Sequence, residues 1–233
     1  MARKARPRRS SGSRAARGQR AQRASSGTPK DRIIDATMAL LATRDFAKVG
    51  LADVAEEAGV SLATLRELYD GKLAIVADFS RRVDQAVLEG GPAEGETPRD
   101  RLFEILMRRF DALGPYKAAV KNVARAARRD LCLGRFLHKN SRRSQSWMLV
   151  AAGADLSGPL RVVAVEGLVL VNADALRVFL DDDDPGLAKT MAALDRGLER
   201  GARAMNFIDE VCARLRPFVS RDRATRGKAA ARS

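Results

Sequence analysis

The chain has 233 residues, 45% of them apolar, and a formal charge of +14. That length holds one or two domains with a full core. The most apolar stretch, 162–171, is broken by Glu166 and Gly167, so no segment has the character of a membrane-spanning helix.

The charge is uneven along the chain. Residues 1–30 carry ten Lys or Arg and no acid, residues 214–233 carry seven basic residues and one acid, and the 26 basic and 28 acidic residues between them leave a body of −2. A nucleic-acid signature read from net charge therefore belongs to the ends. Residues 1–27 have almost no large apolar side chain and cannot bury enough surface to offset the entropy of ordering. A disordered basic tail is expected there, and a second at 219–233. Such tails either add sequence-independent phosphate contacts or serve only solubility. The first lacks both a secretory hydrophobic region and the apolar face of a transit peptide, and a cytoplasmic location is expected.

Thr28 opens the first helix, with its hydroxyl as N-cap, Pro29 in the first turn and Asp31 near the positive helix end. Ile33, Ile34, Met38, Leu40 and Leu41 give that helix an apolar face to about Thr43, and Phe46 packs after it. Leu51, Val54, Ala55 and Ala58 recur at helical spacing, and Gly59 ends the helix in the left-handed conformation. Val60 plugs the turn, Ser61 caps the next helix, and Leu65 and Tyr69 form its buried side. This is a helix-turn-helix pattern, whose second helix fits a DNA major groove. A fourth helix runs from Lys72 to about Leu88, giving a DNA-binding domain with its connecting helix at 28–89.

Gly90-Gly91-Pro92 and the polar run to Glu96 form a joint, and Thr97-Pro98-Arg99-Asp100 repeats the cap of Thr28. A second helical body is expected over 97–218. Within it, helices are expected to about Leu113, over 116–130, 131–152 and 160–180, and over 186–218. Asp184 before Pro185 can cap the last. No strand pattern persists, so the fold class is all-α, with about nine helices. Residues 162–179 are apolar nearly all round, which demands burial on more than one side. Together with the last helix they suit a four-helix interface in a homodimer, and the other reading buries both within one subunit. Cys132 and Cys212 show no metal-ligand spacing and are expected to pack as small buried groups.

The stretch from Thr28 to about Val76, centred on LADVAEEAGVSLATLRELYDGK, resembles the DNA-binding domain of the TetR-type transcriptional regulators. Matching positions include Ile34, Ala36, Leu41, Phe46, Asp53, Val54, Ala58, Gly59, Val60, Ser61, Thr64, Tyr69 and Lys72. The resemblance implies an all-helical homodimer with a C-terminal domain that takes a small apolar effector and releases the DNA.

 

In that family the dimer binds double-stranded DNA, and the C-terminal helices form the dimer interface, so the resemblance implies that 97–218 is for ligand binding and dimerisation. Val49 and Gly50 stand where the family usually has Thr or Ser. Leu62 and Ala63 replace a small or basic residue and a Gly, Arg66 replaces a phosphate-gripping Tyr, and Leu68 occupies a polar position.

The candidate DNA-binding residues are Ser61, Leu62, Ala63, Thr64, Arg66 and Lys72. Thr64 and Lys72 match family phosphate-contact positions. Arg66 reaches phosphate or guanine, or else pairs with Glu67 or Asp70. Phe103, Met107, Phe110, Phe136 and Trp147 are candidates for an apolar ligand pocket, although such a stripe more often forms plain core. No catalytic residue, metal site or cofactor is expected: His138 is the only histidine, and no phosphate-binding glycine loop or nucleophile-base pairing occurs. The function these features imply is a ligand-responsive repressor. The rival is a lipid-binding protein on the same fold, like the ubiquinone-biosynthesis accessory proteins, which 179–199 resembles in character.

Overall fold

The computed structural model describes residues 27–154 and 156–207. Eight α-helices are delimited, against the nine expected: α1 Pro29–Thr43, α2 Leu51–Ala58, α3 Leu62–Leu68, α4 Lys72–Glu89, α5 Pro98–Leu113, α6 Lys117–Ala127, α7 Leu131–Ala151 and α8 Gly158–Phe179. Residues 188–207 form a further helical run reaching the end of the described range. No strand occurs among the described residues, and the fold class is all-α. Both basic tails and Cys212 lie outside the described residues.

Two caps repeat the same chemistry. The Thr28 side chain accepts from the Asp31 amide at 3.3 Å while Asp31 accepts from the Thr28 amide at 3.1 Å. Thr97 and Asp100 do the same at the start of α5, each bond at 3.2 Å. Each pair satisfies amides that a helix start leaves without partners, and Pro29 and Pro98 occupy first-turn positions where no amide is needed.

The chain forms two compact units, and the first is not contiguous in sequence. Among the described residues it holds 27–80 together with 116–133. Ile33, Leu41, Val54, Leu65 and Ile75 are its fully buried centre. α6 packs along α1 through buried Ala119 and Val123, and the Asn122 side chain donates to the Leu41 carbonyl at 2.8 Å. That bond satisfies a carbonyl in the last turn of α1. The Tyr116 ring meets Phe79 edge-on, with centroids 4.9 Å apart.

The second unit holds 81–115 and 134–207 of the described residues. Leu106, Phe110, Met148, Phe179 and Leu194 form its core, with the Phe110 and Phe179 rings 5.2 Å apart. One buried carboxylate ties three helices together: Asp84 of α4 accepts from Arg109 Nε of α5 at 3.2 Å and from the Ser144 hydroxyl of α7 at 2.7 Å. A second buried carboxylate, Asp182, accepts from the Thr190 amide and hydroxyl at 2.9 and 2.8 Å. The Thr190 hydroxyl holds the Asp182 carboxyl below its usual range. Asp184 accepts from the Ala188 amide at 3.1 Å, so both carboxylates cap the run 188–207. Gly197 lets that run approach α8 closely, since a Cβ there would lie 2.8 Å from a Val171 methyl.

Cys132 corrects the sequence reading: it is exposed in the first turn of α7, not packed. α8 buries Val165, Leu168, Val169 and Phe179, while Val162, Val163 and Leu170 remain exposed, Leu170 at 69%.

Replacing Thr97 by Ala should lower unfolding free energy by about 1 kcal/mol, measured by urea denaturation near neutral pH. The hydrogen bond from the Thr97 hydroxyl, its largest cause, holds the Asp100 carboxyl below the ordinary value of 3.8. A lowered folded value means stability present above the unfolded value and lost as pH falls through the folded one. The stability gap between the natural chain and Asp100→Asn should therefore close as pH drops below 3.8.

Candidate nucleic-acid interface

The turn between α2 and α3 is built from one glycine. Gly59 has φ +60°, and its amide and that of Val60 close back onto the Glu56 and Ala55 carbonyls at 3.1 and 3.0 Å. Only glycine reaches that conformation without a Cβ penalty. Ser61 then accepts from the Thr64 amide at 3.0 Å, and its oxygen lies 2.9 Å from the Thr64 hydroxyl. The Ser61 side chain thus caps α3, and the Thr64 hydroxyl leans on the cap. Gly50 begins α2 without a side-chain cap of its own, and Asp53 accepts from its amide at 2.9 Å.

α3 rests on the domain through Leu65, 2% exposed, and through Tyr69, whose hydroxyl donates to Asp78 of α4 at 2.6 Å. Its other face is open. Leu62 is 56% exposed, and Ala63, Arg66 and Glu67 are exposed beside it. Arg66 pairs with Asp70 at 2.7 Å, one helical turn along, which is one of its two sequence-based readings. Both side chains are largely in solvent, so the pair contributes at most about 1 kcal/mol and opens readily to a stronger anion.

Lys72 is placed differently from a free phosphate contact. Its ammonium donates to the Phe46 and Val49 carbonyls at 2.5 and 2.8 Å and lies 4.2 Å from the Phe46 ring centroid. Desolvation by burial lowers its pKa. No local sequence signal announces this clamp, because its partners lie 26 and 23 residues away. The Phe46 in the family pattern is the one residue that hints at it.

The five pocket candidates do not form one set of like environment. Phe110 is fully buried, Phe103, Met107 and Phe136 are half-buried, and Trp147 is 59% exposed on the outer side of α7. Sequence reasoning passed over Gln145, which is fully buried with neither side-chain polar atom partnered among the described residues, and Asn172, whose buried side-chain oxygen is likewise unpartnered. No group of three His, Cys, Asp or Glu able to hold a metal occurs among the described residues.

A capped, exposed helix held on two others by a glycine turn defines the class of helix-turn-helix DNA-binding proteins. Residues 33–78 match the family described as bacterial regulatory proteins, tetR family. The match covers the helix-turn-helix part of the chain and shows a domain similar to the DNA-binding domain of that family there. Solved structures share the fold. A TetR transcriptional regulator from Nitrosomonas europaea ATCC 19718 aligns with a TM-score of 0.60 at 20% identity, covering 76% of this chain and 99% of that one. A TetR transcriptional regulator from Rhodococcus sp. RHA1 gives 0.53 at 20% identity, covering 77% and 96%. A putative transcriptional regulator from Pseudomonas aeruginosa PAO1 gives 0.52 at 22% identity, covering 79% and 97%. No curated protein matches the sequence.

Replacing Lys72 by Ala should leave the Phe46 and Val49 carbonyls without their donor and cost roughly 1–3 kcal/mol. Thermal unfolding would show it as a lowered midpoint. DNA affinity measured well below that midpoint should fall far less than stability does.

Proposed function

We propose that this chain is a ligand-responsive repressor that binds DNA through α3. The observation carrying this reading is the exposed face of α3, where Leu62 and Arg66 stand free of the core on a rigidly capped helix. Leu62 and Ala63 offer apolar contact to thymine methyls, a form of base readout that needs no hydrogen bond. Thr64 and Arg66 serve phosphates, with Arg66 exchanging Asp70 for the backbone anion. Ser61 and Lys72 act as cap and clamp that hold the reading helix in position.

The repressor acts as a homodimer through α8 and the run 188–207. Val163, Leu170 and Met191 supply exposed apolar surface there, which a single chain leaves in water. Two reading helices then enter successive major grooves about 34–36 Å apart. The effector is a small, mostly apolar molecule taken into the second unit among Phe103, Met107, Phe110 and Phe136. Gln145 and Asn172 are the polar groups it would satisfy, since buried polar atoms rarely stay unpaired. Effector binding shifts the protein between a DNA-competent and a released state. The protein works in the cytoplasm.

Selection of genomic fragments by the protein, at roughly physiological salt with nonspecific competitor, should recover a short palindromic site. Arg66→Ala should weaken binding to that site and reduce the salt slope by about one. Recovery of no enriched sequence would sink this reading. Leu170→Glu should convert a dimer into a monomer in sedimentation and abolish binding to the full palindrome. A variant that stays dimeric would place the interface elsewhere.

A further inference from the structure

We propose that a cleft between α7 and α8 binds a soluble, single-chain alkyl carboxylate, at a site separate from the half-buried aromatic set and independent of the repressor reading. The cleft has a volume of about 570 Å³, within the roughly 300–1,000 Å³ typical of small-molecule sites. Lys139, Arg143, Trp147 and Val150 follow one another along one stripe of α7 at helical spacing. Arg161 and Val162 face them from α8. The stripe therefore passes from cationic to apolar, the pattern of an anionic head on a hydrocarbon body.

The charge on this wall is not neutralised from within. Arg142 is drawn to Glu166 at 2.6 Å, and His138 lies 3.3 Å from the same carboxylate. Arg161 donates to the Ser146 hydroxyl at 2.9 Å. Lys139 and Arg143 form no ion pair among the described residues. Beside these cations Trp147 is 59% exposed, and Val150 and Val162 are each 53% exposed. A guanidinium takes a carboxylate through two parallel N–H bonds, and an alkyl chain laid over the indole and valines removes their apolar surface from water. A cationic or uncharged amphiphile gains only the second term. A second copy of this chain is a poor occupant, because a two-fold contact centred on the cleft sets Lys139, Arg143 and Arg161 against their own counterparts.

Trp147 is the only tryptophan in the chain, so its fluorescence reads the site directly in the full-length protein. Titration with dodecanoate below its micelle concentration should give a saturable emission change with one site per chain. Dodecyltrimethylammonium and dodecanol, which gain only the apolar contact, should respond at least about tenfold more weakly at the same concentrations. The double variant Lys139→Ala, Arg143→Ala should bind dodecanoate at least about tenfold more weakly, with unchanged helical circular dichroism because both side chains lie outside the core. Trp147→Phe should lose the optical signal while calorimetry still detects binding. An equal response to the cationic amphiphile, or full affinity in the double variant, would overturn the proposal. So would an indole already shielded from acrylamide in the free protein, which would mean that another chain covers the cleft. A response to phosphatidylglycerol vesicles without one to free dodecanoate would assign the face to membrane and equally refute it.

Discussion

The helix-turn-helix unit is tied together by one ammonium group. A short 3-10 turn at Phe46–Lys48 separates α1 from α2, and the carbonyls of Phe46 and Val49 at its ends find no partner in a regular helix. Lys72, the first residue of α4, reaches back and supplies both bonds, with the Phe46 ring against the charge. The cost of partly burying a cation is visible in its lowered pKa and is offset by these three contacts. The start of α2 is thereby tied to the start of α4, and Tyr69 ties the end of α3 to the same helix through Asp78. α3 lies between these two ties.

This arrangement explains how a chain can keep the scaffold of the family it resembles while changing the surface. Gly59, Leu65, Tyr69 and Lys72 are fixed by backbone geometry, burial or hydrogen bonding. Leu62, Ala63, Arg66 and Glu67 are not, since each projects into solvent and exchange there costs the fold little. Buried and exposed positions are thus divided between different residues of one seven-residue helix. The body's charge is near neutral, and the excess of basic residues belongs to the ends of the chain.

Much of this was legible in the sequence because it is local. The Thr-Pro-x-Asp caps at 28–31 and 97–100, the glycine stop at 59 and the Ser61 cap are each written within four residues, and the helical periodicity fixed the elements between them. What was not legible is long-range. Lys72 looked like a phosphate contact because its partners sit far back in the chain. Residues 116–133 were assigned by order to the C-terminal body, whereas packing places them with the first unit. Trp147 was grouped with the buried aromatic residues because periodicity gives spacing along a helix but not which stripe faces inward, whereas it lines the open cleft beside α8. Cys132 read as buried for the same reason.

The Asp84, Arg109 and Ser144 cluster has a genetic consequence. Its members come from three helices and share one carboxylate oxygen of Asp84. Removing a single member strands a charge or an acceptor in the interior, whereas exchanging the whole cluster for matched apolar side chains can be nearly neutral. Substitutions at these three positions are therefore strongly epistatic. Exchanging the cluster one residue at a time therefore passes through damaged intermediates, although none of the three lies on the exposed face of α3.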